Sequence, residues 1–258
     1  MNNKIYKNLS MMLITGSLIS SSMPIYATSN LNSNISSNNK TIPNTKVSTD
    51  SGKLSDTIYG TKYTWFTRIT TTSTNVKGTT WADASRKVPA GHIGAHCNLY
   101  SKSTGKVVRT ANWNTNPISV SGYGNTTATY DAKGTYFVRG TTKFYNGNGY
   151  IVKGAKESPE LSVRMENIRI PDEELKERQH LYETKNMIAA VGENNVEGYV
   201  SLDDLYDTDN QPKTPEEFLE IQRKNQRSKF KMVPLYSSDG ETIIGEYRID
   251  LNTETYMY

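Results

Sequence analysis

The sequence is short of the residues that build covalent staples, catalytic relays and membrane spans. One cysteine, Cys97, stands among 258 residues, so no internal disulfide can form. Three histidines, His92, His96 and His180, leave little material for a metal site or a Ser/His/Asp relay. Acids are scarce in the middle of the chain, where residues 57–157 carry Asp83, Asp131 and Glu157 against 13 Lys and Arg. A carboxylate pair for glycoside hydrolysis would have to come from the C-terminal part. Long apolar runs are missing as well. Met11 to Ile19 is the best of them, and it is too short and too rich in Ser and Gly to cross about 30 Å of hydrocarbon.

That run instead fits an export signal. Lys4 and Lys7 precede it, Ser20-Ser21-Ser22-Met23-Pro24 follows, and Ala27 is a small residue suited to cleavage. Residues 1–27 are therefore expected to be a signal peptide, the mature chain secreted and associated with the cell surface, with no transmembrane segment left in it. An exported chain without disulfides suits a Gram-positive bacterium, as do its many Lys and Asn. Residues 28–56 are dominated by Asn, Ser and Thr, too polar to offset the entropy of ordering, and predict a disordered tether.

From Thr57 the chain turns aromatic and Thr-rich, which favours extended structure. The clearest stretch is Gly91 to Trp113. Ile93, Ala95, Cys97 and Leu99 alternate with His92, Gly94, His96, Asn98 and Tyr100, the period of a half-buried strand with Cys97 on its core face. Ser101 to Gly105 then turns the chain back into Lys106 to Trp113, which predicts a hairpin. Other strand candidates are Thr57–Thr72, Asn75–Trp81, Thr126–Tyr130 and Thr135–Tyr145, with breaks at Gly122–Asn125 and Asn146–Gly149. Short strands between Gly, Asn and Pro turns predict an all-β sandwich or barrel-like domain over residues 57–157.

Residues 158–258 read as a small α+β region with two helices and a terminal β-hairpin, which need not share the first core. Pro171 and the acids at 172–174 start a helix running to Ala190. Thr214-Pro215-Glu216-Glu217 is a capping box, Thr at N-cap and Glu at N3, opening a helix to about Ser228. Asp239-Gly240 between Met232–Tyr236 and Thr242–Ile249 marks the hairpin. Charge divides the same way. The middle nets +10 and residues 158–258, with 12 basic and 21 acidic side chains, net −9, so the acidic part either stays in solvent or docks onto the basic one.

Several segments carry a resemblance. Gly198 to Leu205, Gln211 to Glu217, Val233 to Gly240 and Thr242 to Tyr247 resemble a C-terminal module of uncharacterised small secreted proteins of Gram-positive bacteria. Lys77–Trp81, Val88–Gly91 and Tyr145–Tyr150 look like the β part of similar exported proteins. The resemblance implies an exported location and assigns no catalytic residue.

The function these features predict is a non-catalytic exported protein whose basic, aromatic-rich β domain binds an anionic cell-envelope surface, wall polymer or lipid headgroups. Tyrosines beside turns can stack on sugar rings or sit at a membrane interface. The candidate contacts are Tyr100, Tyr123, Tyr130, Tyr145 and Tyr150, with Lys102, Lys106, Arg109, Arg139 and Lys143. One alternative is a secreted toxin or bacteriocin-like membrane-active factor using Thr57–Thr72, although Lys62 and Arg68 share a face with Ile58 and Phe66 there. A second is a cell-wall hydrolase. No cofactor, metal or nucleic acid is expected. His92 and His96 are roughly 13 Å apart on a strand, and the acidic run from Asp207 fails as a calcium loop at Pro212 and Phe218.

Overall fold

The computed structural model describes residues 46–163, 171–208, 211–225, 227–251 and 253–258. The expected signal peptide and residues 28–45 of the expected tether lie outside the described residues. The last part of that tether is ordered: β1 (Val47–Asp50) and β2 (Leu54–Ile58) both pair with β3 (Thr61–Thr71). Arg68 supplies the reason, donating to both carboxylate oxygens of Asp50, while the Ser51 hydroxyl accepts from the Thr67 amide at 3.0 Å. A fork on a carboxylate is among the stronger surface contacts a polar segment can make.

Strands dominate, in two sheets. The first runs β1-β3-β4 (Val76–Val88)-β7 (Val120–Thr126)-β15 (Thr255–Met257), with β2 also on β3. Strand β7 covers Gly122–Asn125, a stretch expected to break the chain. The two glycines are there for close approach. A Cβ on Gly124 would lie 2.2 Å from the Trp81 ring and one on Gly122 would lie 2.5 Å from the Tyr258 ring, so the strand needs both positions bare. Of Thr126–Tyr130, expected as a strand, Thr126 ends β7 and the rest makes only an isolated bridge between Tyr130 and Val76.

The second sheet is built on the expected hairpin, β5 (Ile93–Ser101) with β6 (Val107–Thr115). Strand β8 (Gly134–Tyr145) pairs with β5, and β9 (Tyr150–Gly154) and β10 (Leu161–Val163) pair with β8. Beyond β6 the sheet continues through β11 (Met187–Val191), β12 (Glu197–Ser201), β13 (Phe230–Tyr236) and β14 (Ile243–Asp250). One edge of β6 takes two partners: Val107 pairs with Ala190 of β11, and Thr110 and Ala111 pair with Ile249 and Asp250 of β14. Those five strands thereby close a ring, which leaves no open edge among them.

Helix α1 (Asp172–Lys185) stops five residues before the expected end, because Asn186 adopts a left-handed conformation and the chain turns into β11. A short α2 (Leu202–Tyr206) follows β12, and α3 (Pro215–Asn225) starts at the expected capping box. There the Thr214 hydroxyl accepts from the Glu217 amide at 3.2 Å, and the Glu217 carboxylate accepts from the Lys213 amide at 2.8 Å.

The acidic C-terminal part is not a separate body; Thr45–Tyr258 forms one compact unit. Two clusters fill the space between the sheets, one around Tyr63, Trp65 and Phe144, the other around Ile69, Cys97, Leu99 and Val138. A third fills the ring, joining Tyr100, Val107 and Phe137 of the middle to Val200, Leu235, Tyr247 and Ile249 of the tail. Burying that apolar surface, at about 25 cal/mol per Å², is what draws the tail onto β6. The period-2 reading of β5 was right about Cys97, which is fully buried with its thiol pushed up to about 12 by desolvation. It misses the other face. Every residue of β5 is buried, His96 and Asn98 included, since α2 and the tail cover the side that looked solvated.

Candidate functional site

The two sheets part at one end, and a pocket of about 280 Å³ opens there, lined by Tyr59, Thr61, Tyr63, Arg86, Lys87, Val88, Pro89, His92 and Tyr145. One wall is the two-residue turn between β2 and β3. Tyr59 and Gly60 both have positive φ, +48° and +71°, the pattern of a type I′ hairpin. That turn favours Asn-Gly, because a bulky residue in the left-handed region is strained. Tyr59 is 70% exposed, with its ring against Gly147 of the β8–β9 turn.

The other wall is Tyr145, whose ring meets His92 edge-on with centroids 5.1 Å apart and whose hydroxyl donates to the Gly147 carbonyl at 3.1 Å. Beneath, Tyr63 stacks on Phe144 at 4.2 Å, so the floor is rigid. Cations form the rim. Arg86, an exposed side chain, donates from Nε to the Thr61 hydroxyl at 2.9 Å, which ties it down and leaves its two Nη groups without a hydrogen bond among the described residues. Among the described residues neither Arg86 nor Lys87 makes an ion pair. Desolvation holds His92 below its usual range, the nearby Glu216 opposing, so its ring is neutral at pH 7.

No protein-family model matches the chain, and no curated protein or solved structure matches it either. The site must therefore be read from its own chemistry. No carboxylate is among the residues that line the pocket. Among the described residues no three of His, Cys, Asp and Glu cluster to hold a metal, and no helix is long and apolar enough to cross a membrane. What the pocket offers is two tyrosine rings, a half-buried histidine and two cations that make no ion pair among the described residues.

Of the expected contacts only Tyr145 lies here. Tyr123 is fully buried between the sheets, and Tyr100 is buried in the ring, stacked on Phe137 at 5.2 Å. Lys106 is buried and paired with Glu197 at 2.5 Å. Lys102 and Arg139 pair with Glu160 and Glu157 at 2.7 and 2.8 Å, and the Arg139 guanidinium lies 5.0 Å from the Tyr100 ring centre. Arg109 is spread over the Tyr130 ring at 4.8 Å. Tyr123 and Arg109 are covered from within the middle itself, whereas carboxylates of the tail and of the 157–160 segment pair with Lys102, Lys106 and Arg139. Lys77–Glu254 at 2.5 Å is a further contact of that kind.

Lys143 is the sharpest correction. It is 1% exposed and sits in a cage, its Nζ 3.8 Å from the Phe218 ring centre, 4.4 Å from Trp113 and 5.2 Å from Tyr150. Gln211 accepts its one hydrogen bond to a described residue, at 3.2 Å, and Tyr150 donates to the Gly91 carbonyl at 2.7 Å. Desolvation pushes this amine well below its ordinary value, with the Asp207 charge opposing. The pocket residues not nominated from sequence, Tyr59, Arg86, Lys87 and His92 among them, had one legible signal. A tyrosine stands before Gly60 where a hairpin wants asparagine.

Proposed function

We propose that the chain is an exported, non-catalytic binding protein whose basic β surface engages an anionic polymer or headgroup surface of a Gram-positive cell envelope. The observation that carries this reading is the pocket rim: among the described residues Arg86 and Lys87 make no ion pair and stand beside the exposed Tyr59, while Arg68, Lys77, Lys102, Lys106, Arg139 and Lys153 are each matched by a carboxylate. Hydrated cations beside an aromatic face attract anions through a charge term that salt screens over about 8–10 Å. The absence of carboxylates from the lining gives the hydrolase alternative no support at this site.

The test is retention of the full chain on purified wall and on anionic vesicles at low and high salt. Retention at low salt that falls as salt rises, and that the double variant Arg86→Glu/Lys87→Glu loses, is the expected result. Failure of both supports to hold the wild-type chain at low salt overturns the reading.

A further inference from the structure

We infer that the pocket takes one polyol-phosphate unit, a phosphate ester carried on a short hydroxylated carbon skeleton, rather than meeting its target as diffuse charge. This rests on the binding function just proposed and assigns its ligand chemistry.

Four observations point to that ligand. The rim offers two positive charges and the lining no negative one, so the ligand is an anion. Arg86 is anchored through Nε on Thr61, which presents the remaining fork for two parallel hydrogen bonds to phosphate oxygens, and Lys87 adds a point charge beside it. Next to these cations the lining includes a half-buried, neutral His92, which exchanges hydrogen bonds with alcohols, while the Thr61 and Tyr63 hydroxyls beneath it are buried and the Thr61 oxygen already accepts from Arg86. The ring faces of Tyr59 and Tyr145 suit the C–H faces of a polyol or sugar. Size limits the ligand, because about 280 Å³ falls just below the range of drug-sized ligand pockets, which run from about 300 to 1,000 Å³. That is room for a single repeat unit.

Strain at Tyr59 is an independent sign. A type I′ turn with tyrosine in the left-handed region is less stable than one with asparagine, yet the tyrosine is the residue that walls the pocket. Local strain kept where a side chain meets a ligand is the usual reason for such an exception. Tyr59→Asn therefore separates the two roles: it relieves the backbone and removes the ring.

Polyol phosphate occurs both in anionic wall polymers and in lipid headgroups, so the experiment has two arms. The full chain is bound to immobilised poly(glycerol phosphate) and to phosphatidylglycerol vesicles, and each arm is competed with glycerol 3-phosphate, inorganic phosphate, a uronate, and sodium chloride of equal ionic strength. Retention on the polymer alone assigns the wall as the source, and retention on vesicles assigns the lipid. In either case glycerol 3-phosphate should displace the protein at concentrations about tenfold lower than inorganic phosphate or the uronate. Tyr59→Asn and Arg86→Met should each weaken retention about five- to tenfold, while Tyr59→Asn unfolds at or above the wild-type temperature.

Retention that these two variants leave unchanged, and that glycerol 3-phosphate relieves no better than salt does, overturns the pocket while the envelope-binding function stands. Equal displacement by the uronate overturns the phosphate assignment. If neither support holds the wild-type chain, both fail together.

Discussion

The molecule places cations against aromatic rings in two ways, and the contrast separates binding from stability. At the pocket, Arg86 and Lys87 are exposed and line the same opening as Tyr59 and Tyr145. At the cage, Lys143 has lost its water to Trp113, Tyr150 and Phe218, and α3 closes over it. The residue types are nearly the same. Desolvation makes the difference, because a buried amine is held by its own protein and has nothing left to offer a ligand.

The largest test of this contrast is Phe218→Ala, which takes the lid off the cage. Losing a fully buried aromatic ring costs about 3–5 kcal/mol, and the exposed lysine would no longer be walled, so urea unfolding should show a loss in that range. If the loss stays below about 1 kcal/mol, the cage is not a closed structure.

Acid gives the next largest effect. His96 lies beside the cage, its ring centre 4.5 Å from that of Tyr206 and 5.4 Å from that of Trp113, and neither ring nitrogen meets a hydrogen-bond partner among the described residues. Burial pushes it down to about 3, with the positive charges of Lys143 and Lys231 adding to the shift. Its unfolded value is about 6.5. The folded chain then binds fewer protons than the unfolded chain, so stability is full above about pH 6.5 and falls as the pH drops toward 3. At about 1.4 kcal/mol per unit, the contribution lost by pH 4 is about 3 kcal/mol. Comparison of wild type with His96→Leu by urea unfolding at pH 7 and pH 4 isolates it, and equal slopes for the two would refute it.

Lys143→Met sharpens the comparison from the other side. Replacing a buried, poorly solvated cation by an apolar side chain of similar length should leave stability unchanged or raise it by about 1 kcal/mol at pH 7. The depressed folded value also means that wild-type stability rises as pH climbs toward 10.5, and Met should abolish that rise in a denaturation series from pH 7 to 10. The smallest effect belongs to the pocket. Arg86→Met should shift the unfolding free energy by less than about 0.5 kcal/mol, as expected of an exposed side chain with one hydrogen bond.

Local chemistry was legible in the sequence where it acts over a few residues. The β5–β6 hairpin, the core face of Cys97, the capping box at Thr214 and the turn at Asp239 all stand where their spacing placed them. At the last of these, hydrogen bonds from Thr242, Ser237 and the Glu241 amide hold the Asp239 carboxyl far below the carboxylate range. Long-range cover was not legible. Nothing near His96 or Lys143 announces that Tyr206, Gln211 and Phe218 will cover them, and the glycines of β7 mimic a turn until Trp81 and Tyr258 are known to lie over them. The same blindness hid the pocket. Its walls come from both sheets, so residue type could nominate Tyr145 and pass over Tyr59.

Strand β15 has a consequence for biogenesis. It pairs with β7 through Thr255, Tyr256 and Met257, while Tyr258 stacks on Trp81 and donates to Asp83. Sheet one thus begins at Val47 and gains its final neighbour some two hundred residues later, a contact so distant in sequence that loop closure precedes it. A nascent chain halted anywhere before Thr255 presents β7 as a bare template for another polypeptide, which makes truncated translation products the species to watch for clumping.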